Sequence, residues 1–351
     1  MLPLRPIAFM TLCLACTFSC AAVLAAILLP SFFPLSIISS DDDRNPNTAP
    51  VIESPPISPA RLLFLGDVML ARGVEWQIGK HTIDYPLSDI AEYLSTPDLT
   101  IANFEGTIRK SPNQELDGFT FDTTPIIAKM VADSGIDLVS LSNNHSDNYG
   151  STVVASTRET ITELGMMPFG DPYESKNFVA HRTVNGIPLA FIGFHAFGED
   201  PESITPIIES EHAAGNFVIV FPHWGNEYQS TPSVAQTEAA HLFIDAGADA
   251  IIGAHPHVIQ TYESYQGVPI IYSLGNFLFD QDWSVPTQQG LTLGFDIDAT
   301  SITMSFVPIS VIKSHVTLMN PTEASNILAS HNLPSVLKIS RPTDQNTEVQ
   351  Q

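Results

Sequence analysis

Short apolar segments alternate with amphipathic segments from Arg61 to Tyr272, and most of the apolar segments end in a polar side chain. Runs of this length and composition, bounded by Gly, Pro or polar residues, are typical of buried strands. The predicted strands cover residues 61–65, 99–102, 138–141, 189–194, 217–221, 250–252 and 270–272.

Four segments between these strands have helical character. The last of them is amphipathic, because Ala239, Leu242 and Phe243 share one face at helical spacing. Alternation of strands and helices predicts an α/β fold with a largely parallel sheet, in which ligands bind at the carboxyl ends of the strands. The predicted helices cover residues 86–95, 125–134, 152–164 and 233–246.

The pattern changes after Gly290, where residues 291–297, 302–307 and 311–318 form consecutive apolar segments without a helix between them. We expect antiparallel strands that complete a sheet. Beyond Asn320 the apolar periodicity is weak, and residues 341–351 have the composition of a disordered polar tail.

Residues 7–29 are almost continuously apolar and uncharged, which is long enough to cross a bilayer as one helix. Arg5 precedes this segment and an Asp run at 41–43 follows it, so the positive-inside rule places most of the chain outside the cytoplasm, at the cell membrane. A cleaved signal peptide is the alternative. We therefore predict four parts: a membrane segment (1–38), a Pro-rich linker (39–60), one α/β domain (61–320) and a partly disordered extension (321–351).

The composition excludes some classes of function. The 351 residues carry 38 acidic and 14 basic side chains, a formal net charge of -24, which argues against a nucleic-acid partner. Anionic substrates would need a metal ion or a local basic pocket. The three cysteines lie at positions 13, 16 and 20, so the rest of the chain has neither a disulfide nor a thiol nucleophile.

Seven polar residues follow predicted strands. Each has a simple structural alternative, such as a helix cap, a turn or a hydrogen-bonded core histidine, but together they favour a shared site. In extended backbone the two histidines of His-X-His lie on one face. Carboxylates, an amide and imidazoles can hold two divalent ions, and this N/O set favours Mn, Fe or Zn. The seven are Asp67, Glu105, Asn144, His145, His223, His255 and His257.

Six ordered blocks resemble the CapA/PgsA capsule-synthesis family. The resemblance implies a role in making or exporting poly-γ-glutamate at the bacterial surface, with the polymer and other capsule-synthesis subunits as partners. It also implies a domain similar to metallophosphoesterases, a four-layer α/β/β/α sandwich preceded here by one transmembrane helix. The blocks are residues 66–73, 103–106, 143–145, 223–228, 253–257 and 272–277.

The resemblance assigns a role to each residue. Asp67 and His257 would bind the first metal, with Glu105 bridging it to the second. The second metal would have Asn144, His223 and His255 as ligands. His145 occupies the position of the phosphoesterase general acid. Substrate contacts or residues supporting the ligands would be Arg72, Glu227, Asn276 and His195, and Arg109 is a further residue that an anion could contact.

The chain departs from the phosphoesterase pattern at several positions. Met69 stands where the first phosphoesterase block has a histidine, so the first site loses an imidazole and is expected to be weak. Glu105 replaces the usual bridging Asp, and Asn148 stands where an acid is common, with Asp147 one residue earlier. Met69 and Glu105 agree with the capsule family and argue against ordinary phosphoesterase turnover.

Three functions follow from these patterns. The first is a membrane-anchored extracytoplasmic component of poly-γ-glutamate synthesis or export. The second is a metal-dependent hydrolase that cuts a phosphoester or a related bond. The third is a non-catalytic module that binds polymer or partner subunits and keeps the metal site for structural reasons.

Overall fold

The computed structural model describes residues 58–110 and 119–341. The predicted membrane segment, most of the linker and the end of the chain beyond Arg341 lie outside these residues. Among the described helices, none combines the length and the apolar character needed to cross a bilayer.

The described residues form strands and helices in alternation through most of the chain. The strands are β1 (Ala60–Val68), β2 (Leu99–Phe104), β3 (Thr107–Ile108), β4 (Asp122–Thr123), β5 (Leu138–Ser140), β6 (Met167–Phe169), β7 (Ala180–Val184), β8 (Ile187–His195), β9 (Phe217–His223), β10 (Ala250–Ile252), β11 (Tyr262–Tyr265), β12 (Val268–Ile271), β13 (Asn276–Leu278), β14 (Gln289–Ile297), β15 (Ser301–Ile312), β16 (His315–Leu318) and β17 (Val336–Ser340). The helices are α1 (Arg72–Lys80), α2 (Ala91–Leu94), α3 (Pro125–Asp133), α4 (Ser151–Glu163), α5 (Thr205–Ala213), α6 (Val234–Asp245) and α7 (Pro321–Ser330).

Two large sheets contain most of the strands. The first has the order β16-β15-β14-β1-β2-β5-β6, with β13 also paired to β1 and β17 to β15. The second has the order β11-β12-β10-β9-β8-β7. β1, β2, β5 and β6 are parallel, as are β8, β9, β10 and β12, whereas β14, β15 and β16 are antiparallel. The predicted α/β class, with antiparallel strands after Gly290, is confirmed.

Period-two alternation places the apolar side chains on both faces of each sheet. On β1, Leu62 and Phe64 belong to a buried cluster that also contains residues of the second sheet, while Leu63 and Leu65 belong to a cluster that contains residues of α1 and α3. A third cluster joins the other face of the second sheet to α5 and α6. Each sheet is therefore buried on both faces, which explains the near-continuous apolar strands.

The predicted helices match the observed ones where the sequence has a clear apolar stripe or a clear capping residue. α6 begins at a capping box formed by Ser233 and Gln236, and α3 begins with Pro125 after a Thr124 cap. The helix predicted at 86–95 is reduced to α2. α1 and α5 were not predicted, because each buries one residue, Val74 and Ile208 respectively, and so shows little apolar periodicity.

The strand boundaries near the end of the domain differ from the prediction. Residues predicted as two strands, 302–307 and 311–318, form the long strand β15 and the short strand β16. The turn lies at Lys313 and Ser314, which both have positive φ. Residues after Asn320 form α7, capped by Asn320, and β17, which pairs antiparallel with β15.

Candidate metal centre

The strand-end residues come together at one edge of the two sheets. Register explains this, because parallel neighbours end side by side: Asp67 on β1 is paired with Asn103 on β2, and His195 on β8 is paired with His223 on β9. His223 also bridges to Ala254, one residue before His255. Both sheets therefore place polar side chains at this shared edge.

Asp67, Glu105 and His257 form the tightest cluster of potential metal ligands. One ligand atom from each lies within 4.8 Å of the others, and all three residues are buried. His257 Nδ1 lies 3.3 Å from Asp67 Oδ2, and His257 Nε2 lies 3.8 Å from Glu105 Oε1. Two carboxylates and an imidazole suit a divalent cation of the borderline class.

Glu105 provides the test of whether a cation fits. Both of its carboxylate oxygens are buried and have no hydrogen-bond partner. Burial raises the pKa of Glu105 well above its usual range, against the attraction of His257. An unpartnered buried carboxylate is costly unless it is neutralised by a charge or a metal. The group Asp67, Glu105 and His257 therefore fits a divalent metal ion.

His255 and His257 do not have the extended backbone that the His-X-His pattern was expected to adopt. Their φ angles are 99° and 58°, in the left-handed region that residues with a Cβ rarely occupy. Such strain is concentrated at functional sites. The turn separates the rings, whose centroids lie 5.8 Å apart, so that His257 faces Asp67 while His255 faces His223.

The pKa of His257 is raised to about 9. Burial by itself would lower it, but the carboxylates of Glu105 and Asp67 outweigh burial. The Nδ1 atom of His257, which contacts Asp67, also lies 3.0 Å from the Oδ1 atom of Asn276. Without a metal the ring is protonated at neutral pH, and a cation that binds there must displace this proton.

A second group of ligand-type atoms lies beside the first. His223 Nε2 is 2.8 Å from Asn144 Oδ1 and 3.0 Å from His255 Nδ1. Burial lowers the pKa of His223 well below its usual range and that of His255 to about 3. Both rings are therefore neutral at physiological pH, the form in which imidazole binds metals.

His145 is held beside Glu105 by two contacts. Its Nδ1 lies 3.2 Å from Asn148 Oδ1, which also accepts the Phe121 N–H at 2.8 Å, so Nδ1 carries the proton. The ring stacks on Phe121 at 3.9 Å. Nε2 then faces Glu105 Oε1 at 3.7 Å with a free lone pair. Burial lowers the pKa of His145 to about 4, so at neutral pH this nitrogen is unprotonated and can accept a hydrogen bond.

Two buried amides, Asn103 and Asn143, position the ligands, and the sequence pattern alone does not distinguish them from turn residues. Asn103 Nδ2 donates to Asp67 Oδ1 at 2.8 Å and lies 3.2 Å from His223 Nδ1. Asn143 Nδ2 donates to Asn103 Oδ1 at 3.0 Å, and its own Oδ1 accepts the His145 N–H at 3.1 Å. A signal was present, because Asn103 and Glu105 are two residues apart at the end of one strand.

The predicted substrate contacts have varied surroundings. Arg72 forms a salt bridge with Asp280, and its Cζ lies 4.5 Å from the centre of the Phe121 ring. Arg109 pairs with Asp122 at 2.9 Å. Glu227 is exposed.

Asn276 and His195 are buried. Asn276 contacts His257, whereas the Nδ1 atom of His195 lies 3.1 Å from the carbonyl oxygen of Pro172.

Met69, which stands at the position of a phosphoesterase histidine, lies in the core. It is fully buried, belongs to the same apolar cluster as Val74 of α1, and its sulfur accepts the N–H of Ala71 at 2.9 Å. The carboxylates of Asp67 and Glu105 and the ring of His257 are thus the donors of the first group.

Comparison with known proteins identifies related sequences. The family model described as "Bacterial capsule synthesis protein PGA_cap" matches residues 61–281. "Capsule biosynthesis protein CapA" of Bacillus anthracis is 28% identical over 311 residues, which cover 82% of this chain and 75% of that protein. "PGA biosynthesis protein CapA" of Bacillus subtilis (strain 168) is 30% identical over 241 residues, 63% of each chain, so this chain spans less than two thirds of that relative.

Among solved structures, Chaetomium thermophilum Vps29 aligns with 82% of this chain and 99% of its own, at 10% identity and a TM-score of 0.34. A TM-score of this size carries no conclusion about the fold.

Proposed function

The chain belongs to the PGA_cap family of bacterial capsule synthesis proteins, and on this premise we propose that it is a membrane-anchored, extracytoplasmic component of poly-γ-glutamate synthesis or export with a metallophosphatase-like metal centre. The relatives named CapA, from two Bacillus species, support the role in capsule synthesis. The family match at 61–281 includes every residue of the two ligand groups.

The observation that carries the metal centre is the orphaned carboxylate of Glu105. Asp67, Glu105 and His257 would hold one divalent ion, and Asn144, His223 and His255 a second, and we propose that Glu105 bridges the two ions. When bound, such ions act as Lewis acids that polarise a phosphoryl or carbonyl oxygen. The protein's own contribution is to fix the ligands through Asn103 and Asn276 and to hold the unprotonated Nε2 of His145 beside Glu105.

We extend the proposal to the finer architecture. The order helices, first sheet, second sheet, helices follows from the three buried clusters and supports the four-layer α/β/β/α sandwich of metallophosphoesterases. Ligand groups at the strand ends of both sheets fit that arrangement.

The proposed location rests on the sequence. Residues 7–29 are long and apolar enough to anchor the chain, and the charges on either side orient the domain outward. A domain facing away from the cytoplasm would meet a polymer as it reaches the surface. The boundaries 1–38, 39–60, 61–320 and 321–351 remain part of this proposal.

A deletion strain tests the proposed role. We expect loss of surface poly-γ-glutamate on deletion, recovery with the wild-type chain, and little recovery with Glu105→Gln or His257→Ala. His331→Ala is the matched control, because His331 ends α7 and contacts Ser330 and Ile327. Unchanged polymer in the deletion strain would contradict the capsule role. Full recovery by Glu105→Gln would separate that role from the metal centre.

A second function is favoured by the geometry of His145. Its Nε2 lone pair beside Glu105 suits proton transfer during hydrolysis of a phosphoester, and an anionic substrate would raise the pKa of this ring toward the range of a general acid. Metal-dependent turnover that falls by about 10²-fold or more in His145→Ala, with unchanged thermal stability, would support this function. Tightly bound metal without turnover on a broad phosphoester panel would favour the non-catalytic module.

A further inference from the structure

A cavity of about 380 Å³ lies on the helix side of the second sheet, and one of its lining residues, Phe197, has its ring centre 4.5 Å from that of His255. Its walls come from the end of β8, from the residues that follow β8 and β9, and from the first turns of α6. Phe194, Trp224 and Ala239 line it and are buried, while Ala235 and Asn226 line it and are exposed. The cavity is therefore open to solvent at one end and apolar at the other.

The side chains that line the cavity determine which chemical group can bind in it. Among the described residues that line the cavity, none has an ionisable side chain. The Nε1–H of Trp224 donates to the Tyr272 carbonyl oxygen at 2.9 Å, and the side chain of Gln236 forms hydrogen bonds with Ser233 and Gln260. The polar groups of the wall are thus largely satisfied within the protein. Burying a carboxylate here would leave its charge uncompensated, whereas an uncharged apolar group gains by leaving water.

Phe197 lies between the cavity and the metal centre. This side chain lines the cavity, is 53% exposed, and places its ring centre 4.5 Å from that of His255. A molecule bound at His255 therefore has to pass Phe197 to reach this cavity.

We propose that this cavity is a substrate subsite that binds an uncharged apolar group, attached to the anionic group that the metal centre binds. The inference rests on the proposed function for the anionic end. Each residue of poly-γ-glutamate carries a free carboxylate, so the bare polymer does not match this wall. The matching substrate class is a phosphoester of an apolar alcohol.

The volume sets the size of the apolar group. An apolar cavity of roughly 150 Å³ binds benzene, so a space of about 380 Å³ accommodates a phenyl ring with room for further carbons. Binding sites for small molecules have volumes of roughly 300–1,000 Å³ and mostly apolar walls with few polar groups. The cavity falls in this range.

Two binding measurements on the full chain test the subsite. The first titrates phenol, a neutral probe, into the metal-free chain and follows tryptophan fluorescence, to which Trp224 contributes together with Trp76 and Trp283. The second compares methyl phosphate with phenyl phosphate by calorimetry in the presence of Mn²⁺. We expect phenyl phosphate to bind at least about tenfold more tightly than methyl phosphate, because it buries several additional carbons.

Ala235→Phe fills the cavity from its exposed rim, and Val234→Phe adds the same ring one residue away. Val234 is 73% exposed and does not line the cavity, so it is the matched control. Ala235→Phe should abolish phenol binding and the preference for phenyl phosphate, and Val234→Phe should leave both intact.

The outcomes separate this inference from the proposed function. Equal affinity for the two esters, or phenol binding that Ala235→Phe leaves unchanged, overturns the subsite. Phenol binding that Ala235→Phe abolishes, with no binding of either ester, supports the apolar cavity and counts against the metal centre as its anionic neighbour.

Discussion

His257 Nδ1 lies 3.3 Å from Asp67 Oδ2, and this contact joins the loop after β10 in the second sheet to the end of β1 in the first. His255 reinforces it, because its backbone N–H donates to the same Asp67 oxygen at 3.2 Å. The carboxylate of Asp67, at the end of the first sheet, is thus in direct contact with the loop of the second sheet. The position of Asp67 ties the metal centre to the packing of the sheets, so changes at the site should affect metal binding and stability together.

Glu105→Gln should remove metal-dependent stabilisation. A metal that binds only the folded chain at a concentration of about 100 Kd contributes about 2.7 kcal/mol, or a rise in Tm of roughly 5–10 °C for a domain of this size. The variant should lose this rise, while its metal-free Tm stays equal to or above that of the wild type, because a buried carboxylate without a hydrogen bond is replaced by a neutral amide. Calorimetric melting with and without Mn²⁺ measures both. An unchanged metal-induced rise would exclude Glu105 as a ligand.

Metal affinity should increase with pH between 6 and 9. Because the pKa of metal-free His257 is raised to about 9, the ring is protonated below that value and binding must release the proton. His255 and His145, with pKa values of about 3 and about 4, are neutral over this range and add no dependence. Titration of Mn²⁺ in buffers of different ionisation enthalpy measures the protons released. Mn²⁺ binding to His257→Ala should release fewer protons. A wild-type affinity that does not change with pH would contradict the raised pKa of His257.

Metal-free stability should also depend on the protonation of His257. Since its folded pKa lies above the unfolded value of about 6.5, the stabilisation is complete below that value and is lost as the pH rises through about 9. The wild-type free energy of unfolding, measured in urea without metal, should therefore fall between pH 7 and 9 relative to that of His257→Ala. A parallel fall in both proteins would rule out this linkage.

Asn103→Ala should weaken metal binding although Asn103 is not itself assigned as a ligand. The variant lacks the Nδ2 group that donates to Asp67 and contacts His223. Removal of such supporting groups commonly lowers metal affinity by about 10–100-fold. Asn320→Ala is the control for lost stability alone, because Asn320 caps α7 and its removal costs about 1 kcal/mol. Equilibrium dialysis against Mn²⁺ compares the two variants. Equal affinities would show that Asn103 acts through packing only.

Met69→Leu should leave metal content unchanged. Met69 is fully buried in an apolar cluster and its sulfur accepts the Ala71 N–H, so we expect a volume-conserving change to cost less than about 1.5 kcal/mol. Elemental analysis beside a melting curve checks both expectations. Loss of metal from a stably folded Met69→Leu would show that the thioether contributes to the site.

The ligand residues could be found in the sequence because they obey local rules. Strands with apolar residues on both faces are easily recognised, and the residue after such a strand lies at the sheet edge where α/β proteins bind ligands. Asp67, Glu105 and His223 follow this rule. Asn103 and Asn143 obey it as well, but a buried amide after a strand is common in turns, and its partners belong to other strands.

The sequence by itself determined the α/β class, the largely parallel pairing of the strands before Gly290, the antiparallel strands after it and the set of residues at the strand ends. These features depend on the period of apolar residues and on residue chemistry, which are local. The tertiary structure alone decided that His255 and His257 turn apart in left-handed conformations, that Arg72 pairs with Asp280, and that Glu105 has no hydrogen-bond partner. Each of these depends on atoms far away in the chain, brought together when the two sheets pack, and no local pattern records that packing.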